Sequence, residues 1–195
     1  IKAKGVIRAM FFIPNIVSAV LVSFIWVFIF TNAMPALGEA LGWNWLANIS
    51  WFGTPTMATV TIIVVSIWQN IGFLMIIYTA GLQTIPKDVM ESAELDGCSG
   101  LKKVLKIELP LLMPTVTINL FVSISGAFKS FDIPNAMTGG GPYGSTMPVA
   151  MNIYQEAFTK YNLGYGSAKS VILFLTVAAV TLIQLYCTRK KEVEY

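Results

Sequence analysis

The chain has 195 residues, 55% hydrophobic and only 12% charged, with a net charge of +3. A soluble domain carries roughly a quarter charged residues, and this much apolar side chain exceeds what a core of this size hides, so lipid is the expected solvent. The small net charge argues against a nucleic-acid partner. The absence of histidine removes the usual imidazole base, and the two separated cysteines give no disulfide framework.

Four uncharged runs follow one another along the chain: Phe11 to Phe30, Thr56 to Leu82, Leu111 to Phe128 and Ser170 to Cys187. A spanning helix needs roughly 20 residues at about 1.5 Å each, so every run is read as a span. The expected fold is all-α, a polytopic transmembrane bundle with four spans. The chain begins at Ile1 with no signal peptide before it, and it reads as one transmembrane domain over residues 1–195 that is truncated at its N-terminus.

Ten of the thirteen basic residues fall on one side of this four-span arrangement. Lys2, Lys4 and Arg8 precede span one. Lys87, Lys102, Lys103 and Lys106 lie between spans two and three, and Arg189, Lys190 and Lys191 follow span four. Segment 31–55 has no Lys or Arg, and the loop at about 129–169 has Lys129, Lys160 and Lys169. The positive-inside rule makes the basic side cytoplasmic, which puts both ends of the chain there, in a multi-pass membrane protein. Trp43, Trp45 and Trp51 in the first outer loop suit an interfacial aromatic belt or ordinary loop packing.

The most polar stretch is the cytoplasmic loop 84–110, and it is patterned. Pro86 opens a helix, Asp88 and Glu91 favour its positive end, and Gly97 and Gly100 end or bend it. A second amphipathic piece, Leu101 to Ile107, leads to Pro110 at the start of span three. Two short helices with a glycine joint suit a knob for a partner protein.

Within this loop stand Glu91-Ser92-Ala93, Gly97, Ile107, Leu109 and Pro110. Three residues separate Ala93 from Gly97 and nine separate Gly97 from Ile107. This resembles the Glu-Ala-Ala, Gly, Ile-x-Leu-Pro motif of inner-membrane subunits of ABC importers, with Ser92 in place of the first alanine. The stretch FDIPNAMTGGGPY at 131–143, with Tyr154 to Phe158 and Gly164 to Ala168, resembles carbohydrate-uptake permeases of the maltose and glycerol-phosphate type. The Thr-Gly-Gly-Gly-Pro loop and the Lys191 to Glu194 tail lean toward the first of their two paired subunits. The resemblance implies that the loop around Glu91 seats on an ATPase subunit. Glu91, Ser92 and Ala93 would then shape the docking helix and Gly97 permit the turn, while Ile107, Leu109 and Pro110 would couple the loop to span three. It also implies a second permease subunit, an ATPase dimer, an extracellular solute-binding protein and a sugar or oligosaccharide moved by alternating access.

No G-x-x-x-x-G-K-[ST] occurs, and the Gly139 to Pro142 run is followed by neither a helix start nor Lys-Ser/Thr, so it reads as a turn. No catalytic or metal-binding pattern is visible. The chain reads as a transport subunit with no cofactor of its own, ATP and Mg belonging to the partner ATPase. Candidate path residues are Ser66, Gln69, Asn70 and Phe73, which share one helical face in span two, and Lys129 and Ser130 at the end of span three. Lys129 and Asp132 are spaced to pair, and Asn119 and Ser123 suit helix packing. Helix–helix hydrogen bonding by the span-two amides is the alternative reading. An ABC permease for a non-sugar solute and an ion-coupled secondary transporter are the alternative functions, though spans one, two and four contain no acids.

Overall fold

A computed structural model describes residues 3–190, with side chains from residue 5 onward. Lys2 and the tail Lys191 to Glu194 lie outside the described residues. The regular elements among the described residues are all helical, with no strand. Helices α1 (Ala3–Ile16) and α2 (Ala19–Phe28) lead through a π-turn, Ile29–Ala33, into α3 (Met34–Leu41) and the short α4 (Asn44–Ala47). The long α5 (Pro55–Thr84) precedes α6 (Lys87–Leu95), α7 (Gly100–Lys103), a second π-turn at Val104–Glu108 and α8 (Leu109–Leu111). Then come α9 (Met113–Phe128), α10 (Asp132–Thr138), α11 (Val149–Tyr154), a third π-turn at Gln155–Thr159 and α12 (Leu163–Arg189).

Among the described residues, three helical stretches are long and apolar enough to cross a membrane: Ala19–Leu41, Pro55–Thr84 and Leu163–Arg189. Their faces expose Phe24, Phe28, Ile67, Phe174, Ile183 and many others. Exposing a side chain of this size to water costs about 1.5–3 kcal/mol, so these surfaces require an apolar surround. The fourth candidate is broken. Gly100–Leu111 and Met113–Phe128 pass the same test only together, bent by 69°. Helix α9 alone covers about 24 Å, short of the hydrocarbon thickness. Proline explains the bend: Pro114 has no N–H for the carbonyl of Pro110, and the helix turns where that bond is missing.

Prolines also account for two of the π-turns. They start six residues ahead of Pro35 and Pro110. In each, the residue before the proline donates back five positions, Met34 to Ile29 and Leu109 to Val104. The wider turn relieves the clash between the ring and the carbonyl four residues back.

The first expected span is shifted. The run 11–30 divides at Val17 and Ser18, where Ser18 is extended and its carbonyl accepts from Val22 at 2.9 Å. Pro14 lies one turn ahead and removes a helical donor. The crossing helix then continues to Leu41, past Thr31 and Asn32. Their side chains bond their own helix, Thr31 to the Val27 carbonyl and Asn32 to that of Phe28.

The chain forms two compact units. The first runs to Gly72 and includes Phe128–Val171; the second holds Phe73–Ala127 and the chain from Ile172 onward. The core of the first unit is Val22, Phe30, Val65, Ile133 and Met137, so α10 lies against α2. Trp51 belongs to this packing, with its ring 4.9 Å from Phe30, whereas Trp43 and Trp45 are exposed and stacked at 6.4 Å. Gly72 of α5 meets the backbone of α1: a Cβ there would sit 2.8 Å from Phe12 Cα and closer still to the Phe11 carbonyl.

Amides tie helices together in both units. Gln69 donates to the Val17 carbonyl at 3.2 Å in the first unit. In the second, Asn119 donates to Leu74 at 3.4 Å and Gln184 to Thr117 at 3.3 Å. Lipid tails offer such groups no alternative partner, which favours bonds between helices.

Candidate functional site

Helix α6 starts where Pro86 holds an extended backbone, and Asp88 sits in its first turn, facing the positive end of the helix dipole. It stops by backbone hydrogen bonds. The Gly97 N–H donates to the Glu94 carbonyl at 3.0 Å, and the Cys98 N–H donates to the Ala93 carbonyl at 2.9 Å. Gly97 has φ +72, and Ala93 and Cys98 are both buried. This is a Schellman stop, with the buried pair in the positions of its usual apolar contact.

A Cβ on Gly97 would meet nothing within 4 Å. Only backbone conformation therefore requires glycine here. Gly97→Ala is expected to cost about 1 kcal/mol, and Gly97→Asn about half of that, since asparagine tolerates the left-handed region. Thermal unfolding of the two variants checks this; equal melting temperatures would refute the turn explanation.

Beyond the joint, Gly100 has φ +57 and α7 begins. Lys103 Nζ reaches back to Glu94 Oε1 at 2.6 Å, tying the two helices. The hydrogen bond from Lys103, and then its charge, hold the Glu94 carboxyl below the usual range. Ile107, in the second π-turn, is half-buried. With Asp88, Val89, Ser92, Ala93 and Asp96 it lines an open groove of about 360 Å³. Leu109 is exposed, and Pro110 is half-buried just before the bend.

The loop residues singled out from sequence thus come together in one small unit. Ala93, Gly97 and Ile107 shape it. Glu91 is exposed on α6, and Leu95, one turn further on the same side, is 89% exposed. Leu101 and Leu105 are exposed as well. Apolar side chains are thus left uncovered on a capped, internally tied pair of helices.

The span-two residues are more scattered in role. Gln69 is 7% exposed with its amide bonded to Val17, Ser66 is half-buried, and Asn70 is exposed and donates to the Ser66 carbonyl at 2.9 Å. Phe73 is exposed. Lys129 is exposed and Ser130 half-buried. Lys129 and Asp132 share no ion pair among the described residues. Sequence reasoning missed a further cluster around Glu156, which is buried and bonded to Lys160, Asn162 and Lys169. Only the i, i+4 spacing to Lys160 was visible as a signal.

Known proteins share this architecture. The chain is 36% identical over 194 residues to the probable starch degradation products transport system permease protein AmyD of Thermoanaerobacterium thermosulfurigenes, covering 100% of this chain and 66% of that protein. It is 35% identical over 193 residues to the multiple sugar-binding transport system permease protein MsmF of Streptococcus mutans, covering 99% and 66%. The chain therefore spans about two thirds of the length of these relatives. Its fold matches a chain of the crystal structure of a bacterial ABC transporter involved in the import of the acidic polysaccharide alginate, with TM-score 0.86, 19% identity and coverage of 97% and 66%. The model of the binding-protein-dependent transport system inner membrane component family matches residues 2–193, and the chain belongs to that family.

Proposed function

We propose that this chain is the core of a permease subunit in an ATP-driven importer of a sugar or oligosaccharide. The observation that carries the reading is the docking knob: α6 is capped, tied to α7 through Glu94 and Lys103, and exposes Glu91 and Leu95 outward. An ATPase subunit is the partner such a knob serves in this family. Relatives named for starch products and multiple sugars support a carbohydrate cargo.

The distribution of basic residues supports a cytoplasmic side for the knob and for both ends of the chain. ATP and Mg bind the ATPase subunits, and their closure moves the knob. The bend at Leu112 lies between the knob and α9, so displacement of the one reorients the other. A second permease subunit, in the arrangement where this chain is the first of the pair, completes the path, and an extracellular binding protein delivers the solute. Of the candidate path residues, Asn70, Phe73 and Lys129 are exposed and Ser66 and Ser130 half-buried. An amide and an aromatic ring suit the hydroxyls and C–H face of a sugar.

The test is ATP hydrolysis and uptake by the full complex in lipid. Binding protein plus sugar should stimulate hydrolysis, and uptake should require ATP. Uptake driven by an ion gradient with no ATPase present would overturn the reading.

A further inference from the structure

The knob leaves one charged cluster unexplained. Glu156, in the third π-turn, is 7% exposed, and both of its carboxylate oxygens are engaged. Asn162 donates to Oε1 at 3.1 Å, while Lys160 and Lys169 donate to Oε2 at 3.1 and 3.3 Å. Lys160 is the next turn of the same segment, but Lys169 belongs to α12. Its Nζ also donates to Asn152 of α11 at 2.8 Å and lies 4.3 Å above the Tyr165 ring. One ammonium thus joins two turns of one segment to a separate helix. Beside it the backbones come close, since a Cβ on Gly166 would sit 2.7 Å from that of Ala157.

Lys169 stands at the end of α12 where the apolar surface begins, with Val171, Ile172 and Phe174 exposed after it. A cation at that level requires a counter-charge. Hydrogen bonds from Asn162 and then Lys160 outweigh burial and hold the Glu156 carboxyl at a pKa of about 2, so it stays ionised at neutral pH.

We propose that Glu156 is a positioning residue that clamps segment 149–162 onto the first turns of α12, so that a load on this segment passes into the helix. Helix α12 is continuous to Arg189, about 30 Å beyond Lys169. The clamp stands on this geometry alone; the transmitted load rests on the importer reading, in which segment 149–162 faces the binding protein.

The experiment uses the full-length protein in its complex in lipid nanodiscs, with Glu156→Gln, Lys169→Met, the swapped pair Glu156→Lys with Lys169→Glu, and Lys160→Met. Hydrogen exchange should rise at least tenfold at the amides of Lys160, Asn162 and Gly166 in the first two variants, with α5 unchanged. The ratio of binding-protein-stimulated to basal hydrolysis should fall at least threefold while basal hydrolysis holds. The swap should restore part of both, and Lys160→Met, which removes only the exposed arm, should stay within twofold of wild type. Unchanged exchange in both single variants overturns the clamp. Faster exchange with an intact ratio overturns the transmitted load. A wild-type complex that contains no ATPase would instead refute the importer reading, and the exchange data would still decide the clamp.

Discussion

Replacing Glu91 by lysine should abolish stimulation of ATP hydrolysis by binding protein and sugar. Glu91 is exposed on a helix whose other side lines the groove with Ile107, so it faces outward from the knob. Leu95, one turn along, supplies apolar surface for the same contact. Reversing a charge at a docking contact costs about 3 kcal/mol, more than 100-fold in affinity. The ATPase subunit should also fail to copurify. Leu95→Asp should give the same loss through its apolar contact, whereas Glu39→Lys, on the exposed face of α3, should have no effect. Stimulation that survives both Glu91→Lys and Leu95→Asp would remove the knob from the coupling interface.

The second large effect concerns stability. Gly72→Ala puts a methyl group against the Phe11 carbonyl and Phe12 Cα, which are backbone atoms and cannot rotate aside. Helices α1 and α5 must separate, or the change is not tolerated. Overpacking of this kind costs about 3 kcal/mol. Gly126→Ala is the matched control, because a Cβ there meets nothing within 4 Å and alanine favours α9 by about 0.5–1 kcal/mol. Unfolding in mixed detergent micelles should show Gly72→Ala melting well below wild type and Gly126→Ala at or above it. Equal stability of the two would mean that α1 does not press on Gly72.

Hydropathy found the crossing helices where polarity and helix end coincide. Thr56 to Leu82 lies inside α5, and Ser170 to Cys187 inside α12. It erred where they part. Val17 and Ser18 break a helix inside an apolar run, and Thr31 and Asn32 continue one because their side chains bond their own backbone. The run Leu111 to Phe128 reads as one span because a window of average hydropathy does not register the bend that Pro114 imposes.

The helix pair of loop 84–110 was legible because its signals are local: an opening proline, an acid in the first turn, and glycines with positive φ. Contacts across the fold were not. The carbonyl that Gln69 meets lies 52 residues away, so spacing alone left both solute contact and helix pairing open. The Glu156–Lys169 bond spans thirteen residues and a change of helix, beyond the reach of any periodicity.

A π-turn is an α-helix carrying one surplus residue, and that residue has a rotational meaning. Downstream of Val104–Glu108, each side chain points about 100° away from the direction an unbroken α-helix would give it. Across the bend at Leu112, the direction in which α9 departs, and with it the aim of Asn119 at the Leu74 carbonyl, is therefore set in part upstream, in loop 84–110. The loop acts as a rotary index for the helix that follows. Removing one residue there would leave the chain almost as long, yet would turn the amide off its carbonyl.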